Sequence, residues 1–251
     1  MHEYLVSMSY FSALSIVCVV LYAFTYFLPT PENQNKARST FYFRLVLLFT
    51  IASFEVLLLR YDYFPLAAMI TNNLLFLLMI YSLMFAVYTR YDHDITSRYY
   101  IYSAIHCIVF IVLMYFIQTH STLGYLRAIV TLVNVSIPYS FTLIKCHQQF
   151  KKHRIGDRIL YGALLTILLI LSIYVFIYSF VFTGESKTPL LLYFIASLSF
   201  VCILFFGFAL SIIYSLIGKL RKELITDRLT GAKNRNYFND ISQQLISMAK
   251  R

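Results

Sequence analysis

Long apolar runs separated by short polar stretches divide most of the chain. There are seven of them, at about 4–28, 40–59, 65–89, 99–118, 124–144, 157–182 and 189–217. Each is near the roughly 20 apolar residues that a helix needs to cross the hydrocarbon core of a bilayer. No run alternates with a period of two, and lipid offers no partner to an open strand edge, so helices are predicted. The expected fold is all-α: a polytopic membrane protein with seven transmembrane helices.

The amino-acid composition also favours a membrane location. Of the 251 residues, 60% are hydrophobic and only 13% are charged, whereas charged residues make up about 25% of a typical soluble domain. A net charge of +10 would suggest nucleic acid as the partner of a soluble chain, but here the lysines and arginines flank the apolar runs. We therefore expect membrane lipid, and no nucleic acid, around this chain.

The basic residues alternate from one connection to the next. The first, third and fifth connections and the stretch after the last run contain lysine and arginine, whereas the others (RYDYF, QTHST and FTGESK) have almost no net charge. The positive-inside rule then predicts an N-terminus outside and a C-terminus in the cytoplasm. Two interpretations remain for the fifth connection, KCHQQFKKHRIGDR: a topology determinant, or a surface that binds anionic lipid head groups.

The chain shows no recognisable catalytic, metal or cofactor motif. Its four cysteines, Cys18, Cys107, Cys146 and Cys202, have neither metal-like spacing nor a disulfide pattern. The last run also lacks the lysine that a retinal protein needs for its Schiff base. We expect no metal, no cofactor and no catalytic residue.

A few polar residues fall inside the apolar runs, where such groups are costly and are candidates for function. The candidate ligand-binding residues are Glu55, Asn72, Asn73, Arg127 and Asn134. Counting from the predicted ends places all five in the outer half of the membrane, with an ion pair expected between the Glu55 and Arg127 side chains. They form either an outward-facing ligand pocket or interhelical hydrogen bonds. His106 lies nearer the cytoplasmic side, and we expect it to be a packing histidine.

Beyond the last run, leucines recur at every fourth position on a charged helix. They are Leu216, Leu220 and Leu224, and they would lie along one face of a helix that leaves the membrane. Such a stripe can pair with its copy in a homodimer. The alternative is the plain end of a transmembrane helix.

The stretch DRLTGAKNRNYF, residues 227–238, resembles the opening of a diguanylate cyclase (GGDEF) domain, D-x-L-T-G-L-x-N-R-R-x-F. The matching residues are Asp227, Leu229, Thr230, Gly231, Asn234, Arg235 and Phe238. Ala232 and Asn236 depart from the motif, where the family has leucine and a second arginine. The resemblance covers only about the last 25 residues.

The resemblance implies a membrane sensor of cyclic-di-GMP signalling in a bacterial cell (inner) membrane. The family's metal-binding and nucleotide-binding residues come after this opening, so the chain is expected to stop just inside its output domain and not to be an enzyme as it stands. Diguanylate cyclases act with two catalytic domains face to face, which implies a dimeric input module.

The resulting domain prediction has three parts. Residues 1–217 are the seven-span input module for a small-molecule signal, 218–226 a cytoplasmic linker helix, and 227–251 the incomplete start of a GGDEF domain. Two other classes remain open: a small membrane transporter or channel, and a non-catalytic interaction protein.

Overall fold

A computed structural model of the protein describes residues 2–29, 34–59, 65–91, 93–120, 126–150, 155–180 and 188–225, and then Tyr237, Phe238, Ser242, Ile246 and Met248. Every regular element in the seven ranges is an α-helix. They are α1 (His2–Phe24), α2 (Gln34–Leu59), α3 (Pro65–Arg90), α4 (Ser97–Thr119), α5 (Leu126–Phe150), α6 (Ile155–Phe180) and α7 (Thr188–Ile225). Each corresponds to one of the apolar runs, which confirms the all-α prediction.

Length and apolar composition make most of these helices suitable for crossing a bilayer. Over the described residues, six of them, α2 to α7, are long and apolar enough to do so. The described apolar part of α1, Met8–Phe24, is shorter. The chain therefore has the character of a multi-pass helical membrane protein.

Side-chain contacts show which helix ends meet. At one end of the bundle, Arg44 of α2 donates a hydrogen bond to Thr25, just after α1, and Ser39 of α2 donates one of 2.6 Å to the carbonyl of Ala86 in α3. Three further helix ends lie here too. The start of α4 contacts α2, the end of α5 contacts α3, and the start of α6 contacts α7. We call this end of the bundle the basic end, because it holds Arg38, Arg44, Arg90, Arg98 and Lys145.

Six helices form a closed ring in the order α1, α2, α3, α5, α6 and α7, with α7 packed back against α1. α4 lies outside this ring, against α3 and α5. Only one stripe of α4 is buried: Cys107, Phe110, Met114 and Ile117. Most of its other apolar side chains are exposed, as expected of a helix whose remaining surface faces lipid.

Aromatic rings fill the space between α2 and α7. Phe43 and Phe208 are both fully buried, and their rings stack with centroids 3.9 Å apart. A second contact, between Phe76 of α3 and Phe200 of α7, has centroids 6.4 Å apart. α7 is thus packed against α2 and α3 as well as against its neighbours in the ring.

α6 and α7 approach each other closely because small residues line their contact. A Cβ atom added to Gly207 of α7 would lie 2.4 Å from the Cβ of Ala163 in α6. One added to Gly156 of α6 would lie 2.6 Å from the carbonyl oxygen of Ser211 in α7. Small residues four apart, such as Gly207 and Ser211, are a common way for membrane helices to bring their backbones together.

α7 is much longer than a membrane crossing requires. Its 38 residues, Thr188–Ile225, correspond to about 57 Å at 1.5 Å per residue, against a hydrocarbon thickness of about 30 Å. Ser211 lies at the basic end, so the following turns of α7 extend about 20 Å beyond that point. The last helix therefore leaves the bundle without a break.

The close contact of α6 and α7 predicts opposite effects for two glycine substitutions. Gly207→Ala forces two Cβ atoms together and should lower the free energy of unfolding by about 1–3 kcal/mol. Gly162→Ala, also in a helix but with nothing within 4 Å of the new Cβ, should be neutral or stabilising by about 0.5–1 kcal/mol. Unfolding in detergent micelles measures both, and equal effects would contradict the close approach.

Candidate functional site

A chain of hydrogen bonds links α3, α4 and α5 through His106. The hydroxyl of Tyr81 lies 2.6 Å from His106 Nδ1, and His106 Nε2 lies 2.9 Å from Asn134 Oδ1. The Asn134 amide nitrogen donates to the Val130 carbonyl, so its oxygen must accept from His106. This assigns a hydrogen to Nε2, and the Tyr81 hydroxyl is the partner of Nδ1. We call these three residues the His106 chain.

The His106 chain satisfies every polar side chain in it. Such interhelical bonds stabilise membrane proteins by about 0.6 kcal/mol on average and by up to about 1.7 kcal/mol. Pro138, one turn after Asn134, has no N–H, so the Asn134 carbonyl also lacks its usual helical partner. These contacts agree with the packing role predicted for His106. Of its two partners, Asn134 was among the polar residues singled out from sequence and Tyr81 was not.

The five predicted ligand-binding residues are not brought into one cluster by the described contacts. Asn72 accepts a 2.5 Å hydrogen bond from Ser53 of α2, while Asn134 belongs to the His106 chain. Asn72 and Tyr81 are nine residues apart on α3, or about 14 Å. Asn73 is partly buried and Glu55 is exposed. The side chain of Arg127 lies outside the described residues, so its expected ion pair with Glu55 stays a prediction.

Counting from the predicted ends places Asn134 in the outer half of the membrane and His106 nearer the cytoplasmic side. Their side chains nonetheless meet, with His106 Nε2 2.9 Å from Asn134 Oδ1. α5 itself extends to Phe150, six residues past its predicted end at 144.

A second polar cluster surrounds Arg90 at the basic end. Its guanidinium donates a 2.5 Å hydrogen bond from Nη2 to Ser211 Oγ and lies over the Phe208 ring, 5.7 Å from the centroid. Asp157, in the first turn of α6, is close enough to interact favourably with its charge. The Nε atom is buried without a hydrogen-bond partner in the described part of the chain. Arg90 thereby connects α3 and α6 to α7.

Two further contacts close this end around Arg90. The Tyr91 hydroxyl approaches Cys146 Sγ of α5 at 4.0 Å, and burial raises the pKa of Tyr91, so the hydroxyl keeps its proton and can donate. Lys145 of α5 lies over the Tyr88 ring, 5.3 Å from its centroid. The end of α3 is therefore held from both sides, by α5 and by α7.

Arg44 makes the third set of basic-end contacts. It donates to Thr25 through Nε to the hydroxyl at 3.0 Å and through Nη2 to the carbonyl at 3.3 Å. Its guanidinium also covers the Tyr26 ring at 3.9 Å. The carbonyls at a helix C-terminus have no helical donors, so Arg44 satisfies the end of α1.

The exposed apolar face of α7 differs in register from the predicted leucine stripe. Leu216 is partly buried and Leu220 is exposed, while the side chain of Leu224 lies outside the described residues. Exposed apolar side chains instead recur at alternating steps of four and three residues. They are Phe206, Leu210, Ile213, Ile217 and Leu220, each at least 37% exposed. We call these five residues the α7 seam.

The residues of the GGDEF-like opening lie almost entirely outside the described part of the chain. Asp227, Leu229, Thr230, Gly231, Asn234 and Arg235 are not described, and Phe238 is exposed. Among the described residues, no group of three His, Cys, Asp or Glu side chains could hold a metal ion.

Arg90, Asp157 and Tyr81 could not be recognised as site residues from sequence, whereas Arg44 could have been. In the chain, Arg90 counts only as a charge of the third connection and Asp157 as one of the fifth, 67 positions later. Their proximity comes from the packing of α3 beside α5 and of α5 beside α6. A signal for Arg44 does exist, because it is an ionisable residue inside the second predicted run.

Comparisons with known proteins do not assign the chain to a family. No family model, curated protein or solved structure matches it. The resemblance of residues 227–238 to the GGDEF opening stays a prediction from sequence, and the function has to be inferred from the contacts described above.

The His106 chain predicts energetic coupling between α3 and α4. In a double-mutant cycle, Tyr81→Phe and His106→Phe should couple by about 0.6–1.7 kcal/mol in the free energy of unfolding, because each alone removes the same bond. The control pair, Ser53→Ala with His106→Phe, shares no contact and should be additive within about 0.5 kcal/mol. Additive losses for Tyr81 and His106 would show that the hydroxyl does not bond to the ring.

Proposed function

We propose that the chain is the membrane input module of a cyclic-di-GMP signalling protein in a bacterial inner membrane. The observation that carries the proposal is the path of α7, one helix that leads from the closed ring to Ile225, directly before the GGDEF-like residues. In this proposal all seven helices cross the membrane, the N-terminus is outside and the basic end faces the cytoplasm. In this proposal the output is a diguanylate cyclase domain that begins with the opener.

Contacts around Ser211 support a role for α7 in transmission. Its hydroxyl accepts from Arg90 of α3, and its carbonyl lies against Gly156 of α6. A movement of α3 or α6 relative to the other helices therefore acts on α7 at the point where α7 leaves the bundle. The His106 chain ties α3 to α4 and α5, so a signal received among those helices would reach α7 through α3.

The α7 seam supports a dimer of input modules. Its spacing of four and three residues is the heptad pattern of a left-handed two-stranded coil. Leu210 and Ile217 fall at one core position (a), and Phe206, Ile213 and Leu220 fall at the other (d). β-branched residues at a with leucine at d favour parallel pairs, as Ile217 and Leu220 do here. We therefore propose a parallel homodimer whose centre is Ile217 and Leu220, beside the predicted Leu216.

Cysteine crosslinking tests this pairing. With the four native cysteines replaced by alanine, Ile217→Cys and Leu220→Cys should form disulfide-linked dimers in native membranes, because core positions of a coiled coil face their copies. Gly218→Cys and Lys219→Cys, equally exposed but on the outer face, should crosslink only weakly. Strong crosslinking at Leu216 with little at Ile217 would favour the stripe of leucines spaced by four residues as the dimer contact. No crosslinking at any of these positions would contradict the dimer.

A chimera tests the proposed function. Residues 1–235 joined to the remainder of a complete diguanylate cyclase domain should produce cyclic di-GMP in cells, and Ile217→Gln should change that output several-fold by altering the pairing of α7. Lys219→Gln is the matched control and should leave it unchanged. The proposal would be overturned if the unsubstituted chimera, Ile217→Gln and Lys219→Gln all gave the same output, and if an unrelated transmembrane helix in place of the input module gave that output too.

A further inference from the structure

A cleft of about 410 Å³ opens at the basic end, between the start of α2, the end of α3 and the start of α4. Its lining consists of Arg38, Phe41, Tyr42, Thr89, Ile95 and Tyr100. Because helix ends of a membrane bundle lie near the boundary of the bilayer, the cleft is at the level where lipid head groups meet hydrocarbon. Three helices therefore line one cleft.

The polar groups of the cleft offer donors and few acceptors. The Arg38 side chain is exposed, and its guanidinium makes no hydrogen bond or ion pair within the described part of the chain. The hydroxyls of Tyr42 and Tyr100 bond to each other, which uses one hydrogen and leaves the other free to donate. The Thr89 hydroxyl is already bonded to the carbonyls of Phe85 and Ala86.

This donor set fits an anion with several oxygen atoms. A guanidinium presents five N–H donors in a planar fork that matches phosphate, and charge-assisted bonds of this kind are stronger than neutral ones. Lys36, Arg98 and Asp94 lie at the same end but do not line the cleft, so Arg38 is the charged side chain of its lining. The chemistry that this cleft recognises is therefore that of a phosphate group.

The apolar lining distinguishes a lipid from a free ion. Phe41 is 56% exposed beside Arg38, and Ile95 contributes a further apolar side chain. A dissolved phosphate ion gains nothing from an exposed phenyl ring, whereas a phospholipid carries its acyl chains directly next to the phosphate. Aromatic side chains at a membrane boundary with basic residues beside them are the usual surroundings of such head groups.

We propose that this cleft binds an anionic phospholipid, with the phosphate on Arg38 and the free tyrosine hydroxyl and an acyl chain along Phe41. The bound lipid joins α2, α3 and α4 at their shared end. The site is separate from the His106 chain and from the α7 seam, so it does not depend on the proposed signalling function.

Thermal unfolding of the delipidated full chain in neutral detergent tests the site. Phosphatidylglycerol should raise the melting temperature of the wild type at concentrations where phosphatidylcholine does not. In Arg38→Gln the phosphatidylglycerol concentration for half of that shift should rise about tenfold or more, because a charge-assisted bond is lost. The control Arg98→Gln removes an exposed cation of α4 outside the lining and should respond as the wild type does.

Three results would overturn the proposal. Equal stabilisation by both lipids would mean that the cleft does not select the head group. Equal loss in Arg38→Gln and Arg98→Gln would mean a diffuse basic surface and not a cleft. Displacement of phosphatidylglycerol by millimolar inorganic phosphate, with the same shift from phosphate alone, would assign the site to a free anion. Gel filtration of Arg38→Gln at the wild-type volume checks that the exposed substitution leaves the fold intact.

Discussion

The position of α7 depends on a contact that only small neighbours permit. Ser211 is fully buried, its carbonyl faces the Cα of Gly156, and its hydroxyl accepts from Arg90. A side chain at residue 156 or 207 would separate α6 from α7 and withdraw Ser211 from the guanidinium. A buried guanidinium N–H left without this acceptor would destabilise the fold. The close approach of the α6 and α7 backbones and the position of the Arg90 guanidinium are thus a single constraint. The direction in which α7 leaves the bundle follows from this constraint.

Two sets of polar side chains inside the bundle join different helices. Ser53 with Asn72 links α2 to α3, and the His106 chain links α3 to α4 and α5. The individual bonds are weak, but leaving either partner unsatisfied in lipid costs more than the bond contributes. This explains why α4, which buries a single apolar stripe, is nevertheless held in one position outside the ring.

Sequence was a good guide to the helices and a poor one to their neighbours. Hydropathy predicts where each apolar helix lies, because lipid imposes one rule along the whole run. The ends are less well determined: α7 continues to Ile225, since a helix can leave the membrane without any break in its hydrogen bonds. The placement of α5 beside α3, and with it the proximity of Arg90 to Asp157, depends on packing between distant residues that no local pattern records. For the α7 seam, Leu216 and Ile217 differ by only about 100° around the helix, and only the fold shows that Leu216 is partly buried and Ile217 exposed.

The end of α3 connects the two regions of the basic end. Thr89 lines the cleft between α2, α3 and α4, while the next residue, Arg90, holds Ser211 of α7. Successive residues of a helix point about 100° apart, so this one turn faces both regions at once. A rigid helix cannot shift one of these residues without the other. The cleft and Ser211 of α7 therefore contact the same turn of α3.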